Sequence, residues 1–96
     1  MFISMRYYGY GAGTAQDIGK KVEEEFIPIV SGIDGFVEYY VVDVGDGHIT
    51  SISIFESKAG AEESDAKAAE WAPDALTDFD VTAPRIAEGE VVAGKA

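Results

Sequence analysis

Along the first thirty residues the spacing of apolar side chains changes once, and that change separates a strand from a helix. From Phe2 to Tyr8, Ile3, Met5 and Tyr7 alternate with Phe2, Ser4, Arg6 and Tyr8, the period of two that a strand produces. From Thr14 the period lengthens, and Ala15, Ile18, Val22, Phe26 and Ile29 form one apolar stripe at helical spacing. Thr14 is placed to cap this helix, and Asp17 falls in its first turn, where the helix dipole favours negative charge. Lys20, Lys21, Glu23, Glu24 and Glu25 supply the solvated face. Pro28 lacks an N–H and crowds the carbonyl four residues earlier, so it distorts the last turn before Ser31-Gly32 ends the helix.

A hairpin follows, and the rest of the chain is organised around it. Gly35 to Val44 and His48 to Phe55 are rich in β-branched and aromatic residues, and Gly45-Asp46-Gly47 between them tolerates positive φ. Strict alternation puts Phe36, Tyr40, Val42 and Val44 on one face of the first arm and Val37, Tyr39 and Val41 on the other. Both faces are apolar, so both need covering.

After the hairpin Ser57 caps a second helix, which Pro73 stops or kinks. Ala59, Ala61, Ala66, Ala68, Ala69 and Ala72 keep this helix thin, which lets its backbone approach the sheet, and Trp71 is its one bulky group. Residues 74–86 read as a polar connection interrupted by Pro84, and 88–93 as a short final strand at a sheet edge.

The order β, α, β, β, α, β predicts an α+β domain of the ferredoxin-like βαββαβ type over residues 1–96. Its antiparallel four-stranded sheet has the first and third strands central and two helices on one face. The other face is left bare. A second copy of the chain is the economical cover, and the expected partner is a homodimer mate packed through the open sheet face, giving a dimeric α+β barrel.

Composition narrows the function classes. A net charge of −11, with only seven scattered Lys and Arg residues, disfavours nucleic acid and anionic membranes, which need clustered cations. The absence of cysteine removes disulfides, thiolate nucleophiles and Cys-based metal sites. No apolar run reaches membrane-spanning length, and a cytoplasmic location is expected. Nothing in the sequence calls for a cofactor.

Several candidate motifs fail on inspection. Gly9-Tyr10-Gly11-Ala12-Gly13-Thr14 sits between strand and helix, where a phosphate loop would be, but its third glycine comes one position early and no Gly-Lys-Ser/Thr ending follows. It reads as a flexible connection at a pocket mouth. Asp43, Asp46 and His48 surround the hairpin turn without the spacing of a calcium loop, and no metal site is expected. The single histidine ties no serine into a catalytic triad, and Glu62-Glu63 point in different directions on a helix.

Arg6, within an apolar strand, is either a packed stem with a solvated head or an anchor for an anion or carbonyl in a pocket. Trp71 is either a core anchor or a stacking surface. If a pocket lies between sheet and helices, Arg6, Tyr8, Ser51, Ser53 and Trp71 are the candidate lining, since small serines leave space beside bulky neighbours. A small apolar or aromatic molecule is the ligand such a lining would take.

The runs Gly35 to Gly47, Ser51-Ile52-Ser53-Ile54-Phe55-Glu56, Gly60-Ala61-Glu62-Glu63-Ser64, Ala68-Ala69-Glu70-Trp71 and Gly89-Glu90-Val91 together resemble small bacterial proteins of the dimeric α+β-barrel superfamily, close to the antibiotic-biosynthesis-monooxygenase type. The resemblance implies the fold and the dimer. It also implies two functional alternatives: a small-molecule-binding or structural module, and a cofactor-independent monooxygenase acting on an aromatic or polyketide-like compound. Oxygenases of that type bind substrate between sheet and helices, and several use an Asn with Trp and His or Arg. This chain has no Asn, and its His48 begins a strand beside the hairpin turn, so no catalytic set carries over.

Overall fold

The computed structural model describes residues 1–96. Four strands, β1 (Phe2–Gly9), β2 (Phe36–Gly45), β3 (His48–Phe55) and β4 (Arg85–Glu90), form one antiparallel sheet in the order β2-β3-β1-β4, with β1 and β3 central. Helices α1 (Ala15–Lys21), α2 (Ile27–Val30) and α3 (Lys58–Ala75) complete the ferredoxin-like α+β arrangement. No helix is long and apolar enough to cross a membrane.

The caps fall where the side chains predict. Thr14 Oγ1 accepts from the Asp17 N–H at 3.1 Å, and Ser57 Oγ accepts from the Gly60 N–H at 3.4 Å. Between α1 and α2 the helix widens into a π turn, Val22–Phe26, where the Ile27 N–H bonds the Val22 carbonyl. Pro28 sits just after it, in the first turn of α2, and the wide turn loosens the ladder at the point where proline removes a donor. The extra residue advances the helix phase. Val30 is therefore buried where strict spacing predicts Ile29, which is exposed.

Hairpin geometry also departs from strict alternation. Asp46 and Gly47 both have positive φ, forming a two-residue turn between β2 and β3. At the other end a bulge opposes Phe36 and Glu38 to Phe55 and Ile54, leaving Val37 extra. Phe36 consequently joins Tyr39 and Val41 on the helix side, packing edge-on to Phe55 with ring centroids 5.8 Å apart. It does not share a face with Tyr40, Val42 and Val44, which are exposed.

Two boundaries differ from the sequence reading. Pro73 does not stop α3, which continues through it to Ala75. The proline falls in the last turn, where few following residues depend on the interrupted ladder. The polar connection after it is shorter than 74–86, because a 3-10 turn spans Thr77–Phe79 and β4 starts at Arg85, not Glu88. β4 has no buried residue, so its pairing with β1 rests on backbone hydrogen bonds and leaves no apolar rhythm to read. It does lie at the sheet edge.

The glycine-rich connection is not free either. Gly11 and Ala12 donate to the Phe79 carbonyl at 3.0 and 3.1 Å, and a Cβ on Gly13 would stand 2.6 Å from the Phe79 ring. The connection is thus tied to the 3-10 turn after α3.

Candidate functional site

The helix-facing side of the central strands carries Ser4, Arg6 and Tyr8 from β1 opposite Ser53, Ser51 and Ile49 from β3. Directly paired residues share a face, so this register gathers three serines and an arginine in the middle of the sheet. Above them, α3 presents Gly60, Ala61, Ser64, Ala68 and Ala72 on its buried stripe. The small side chains leave room between helix and sheet.

Arg6 fills the centre and is 1% exposed. Its Nη1 donates to Asp65 Oδ1 at 2.7 Å and to Ser64 Oγ at 3.3 Å, while Nη2 donates to Ser53 Oγ at 3.0 Å. Ser4 Oγ donates to the same Asp65 oxygen at 2.5 Å, and Ser64 Oγ donates its own hydrogen bond to the Ala61 carbonyl at 2.6 Å. A buried guanidinium requires such partners, because desolvating it without a counter-charge costs several kcal/mol, on the order of the effective burial penalty per ion. Arg6 Nε and Ser51 Oγ remain without partners.

Beside this network lies a cavity of about 500 Å³ between β1, α3 and the segment leading into β4. Arg6, Tyr8, Asp65 and Asp80 are its charged and phenolic lining; Ala68, Ala69, Ala72, Pro73 and Leu76 of the α3 side and Val81, Pro84 and Ile86 of the other side are its apolar lining. A smaller chamber of about 20 Å³ adjoins it, sharing Arg6, Tyr8, Ala68, Ala72 and Leu76 and closed by Ser51, Tyr39, Phe26 and Trp71.

Burial raises the pKa of the Tyr8 phenol, a rise that the neighbouring Arg6 charge only partly opposes. Tyr39 is raised for the same first reason, with Ser51 and Arg6 pulling the other way. Both phenols therefore stay protonated at neutral pH. The Tyr39 hydroxyl comes near Ser51 without an ordinary hydrogen bond, since Ser51 Oγ has none.

Each candidate from the sequence has a definite place. Arg6 and Tyr8 line both cavities, and Ser51 and Trp71 line the smaller one. Ser53 lines neither and instead holds Arg6 Nη2. Trp71 packs tilted against Phe26, ring centroids 5.2 Å apart, and donates its indole N–H to Glu25 at 3.2 Å. His48 is exposed at the start of β3, and no cluster of His, Cys, Asp or Glu is arranged to hold a metal ion. Sequence reasoning missed Asp65, Ser64 and Tyr39. Ser64 had a readable signal, a polar residue four positions from both Gly60 and Ala68 on the small-residue stripe; Asp65 had none, because an acid on a charged helix reads as solvated.

No protein-family model matches the sequence, and no curated protein matches it. Solved structures do share the fold. A candidate antibiotic biosynthesis monooxygenase from Deinococcus radiodurans is 24% identical, covers 100% of this chain and 95% of its own, and superposes with a TM-score of 0.72. A dimeric ferredoxin-like protein from an uncultured marine organism is 15% identical, with 99% and 97% covered and a TM-score of 0.72. A monooxygenase of Streptomyces coelicolor, solved in complex with nanaomycin D, is 12% identical, with 99% and 90% covered and a TM-score of 0.75.

Proposed function

We propose that residues 1–96 form a single cytoplasmic module that works as a homodimer and binds a small apolar or aromatic molecule between the sheet and α3. The observation that carries this is the cavity of about 500 Å³, apolar along α3 and polar at Arg6. Ligand sites typically enclose about 300–1,000 Å³ and combine apolar walls with a few fixed polar groups. The dimer reading is supported by the uncovered sheet face, where Tyr7, Tyr40 and Val42 are 44%, 50% and 41% exposed beside Ile3, Met5, Ile52 and Ile54. A ferredoxin-like neighbour of the same fold is dimeric.

The test of binding is calorimetric titration of uncharged aromatic compounds into wild-type protein and Ala68→Phe, whose ring would occupy the cavity. Heat of binding in the wild type, absent from a variant that unfolds at the same temperature, supports the reading. A panel that gives no binding in the wild type removes it.

A second reading, a cofactor-independent oxygenase acting on an aromatic compound, draws on the fold shared with the Streptomyces coelicolor monooxygenase that holds nanaomycin D. It is the less favoured one. Both cavity phenols are held protonated, and Asp65 is already engaged by Arg6 and Ser4, which leaves Asp80 as the one lining carboxylate outside that network. Aerobic oxygen uptake with quinol or anthrone-type compounds, reduced in Trp71→Phe and Arg6→Ala, would reverse that preference.

A further inference from the structure

Arg6 and Ser51 are direct partners across β1 and β3, so their side chains rise from the sheet next to each other. Both are buried, at 1% and 4% exposure. The terminal nitrogens of Arg6 are bound to Asp65, Ser64 and Ser53, yet Arg6 Nε and Ser51 Oγ have no partner. Leaving a buried donor unmade costs about 1–3 kcal/mol, so two side by side on one chamber, with the Tyr39 phenol near both but outside hydrogen-bond geometry, call for an acceptor. That chamber measures about 20 Å³ and adjoins the main cavity, with which it shares Arg6 and Tyr8 among its lining residues. A space of this size accommodates roughly one oxygen atom, since about 10–15 Å³ suffices for a single water.

We propose that the Arg6 Nε–H and the Ser51 hydroxyl form a subsite for one uncharged acceptor oxygen, and that the ligand of the cavity is a neutral carbonyl compound whose apolar frame lies along α3. This rests on the reading of the cavity as a small-molecule site. Charge decides between a carbonyl and a carboxylate. The positive charge of Arg6 is already balanced by Asp65 at 2.7 Å, and Asp80 adds a second acid to the cavity wall. A carboxylate would enter without a free counter-ion, and its second oxygen has no room in the chamber.

Three rigid probes of one shape separate the possibilities: 9-fluorenone, fluorene and fluorene-9-carboxylate, each titrated into the whole protein by calorimetry. Fluorenone should bind about tenfold tighter than fluorene, the effect of one well-made buried hydrogen bond, and the carboxylate more weakly than either. Ser51→Ala should reduce the advantage of fluorenone over fluorene several-fold without lowering the unfolding temperature, since it removes a buried hydroxyl that has no partner. Equal affinity of fluorenone and fluorene, or an advantage undiminished in Ser51→Ala, would overturn the subsite while leaving the cavity reading intact. Preference for the carboxylate would replace it with an anion site. Failure of all three probes to bind would remove both the cavity reading and the subsite built on it.

Discussion

Asp65 Oδ1 stands 2.7 Å from Arg6 Nη1, joining the middle of α3 to the central strand β1, and the arginine side of the pair is 1% exposed against 16% for the aspartate. The pair is therefore a buried charge whose counter-ion reaches the surface. Such a pair adds little net stability over an apolar replacement, but breaking it strands the charge.

The first prediction follows from that asymmetry. Asp65→Ala should lower stability by about 3–5 kcal/mol, because Arg6 would remain buried without compensation. The double variant Arg6→Leu with Asp65→Leu should recover most of the loss, since neither charge is then buried. Urea denaturation of the three proteins measures this, and a double variant no more stable than Asp65→Ala would refute the account.

Gly60 gives the second. It sits in the first turn of α3, where a Cβ would lie 2.5 Å from the Phe55 ring and 3.0 Å from the Asp34 carbonyl. Phe55 is fully buried and the carbonyl is backbone, so neither can move cheaply. Gly60→Ala should cost about 1–3 kcal/mol despite the higher helix propensity of alanine. An unchanged denaturation midpoint would show that the helix can lift from the sheet freely.

These two positions also show what the sequence can and cannot reveal. Thr14, Ser57 and Asp46-Gly47 act through neighbours a few residues away, so the helix starts and the hairpin are legible from local chemistry. Arg6 stands out because a charge interrupts an apolar strand. Its partner is hidden, being 59 residues distant on a helix whose other acids face water. The Phe36 bulge and the π turn each insert one residue, shifting faces that strict periods assign otherwise, and neither leaves a mark in the apolar pattern. The start of β4 at Arg85 is illegible for the opposite reason: with no buried side chain the strand has no pattern to detect.

Tyr39 and Tyr40 provide the third prediction, because the structure separates two tyrosines that adjacency alone does not. Tyr39 packs on Phe26 with centroids 5.6 Å apart, whereas Tyr40 lies on the uncovered sheet face and donates to Glu38. Tyr40→Lys should leave the chain folded and shift sedimentation from twice the chain mass to the monomer. Tyr39→Lys should unfold it, by burying an unpaired ammonium in the core. A wild-type protein that sediments as a folded monomer in dilute solution would exclude the homodimer.

Glu88 carries the last prediction. It lies on β4 opposite Ser4, the residue that donates to Asp65, and its pKa is raised from 4.5 to about 7. The largest cause is a hydrogen bond in which protonated Glu88 donates to Asp65; desolvation and repulsion from Asp65 and Glu62 add to it, and Lys58 opposes it. The folded protein thus holds this proton more tightly than the unfolded chain. Stability from Glu88 is fully present below about pH 4.5 and is lost as pH rises through about 7, opposite to an acid in an ordinary ion pair. The residue is exposed, so solvent screening keeps the effect small. Glu88→Gln, which preserves a donor without a titratable proton, should abolish the difference. Urea midpoints at pH 5 and pH 7.5 test this, and a wild type whose midpoint changes between those values no more than that of Glu88→Gln would show that Glu88 and Asp65 share no proton.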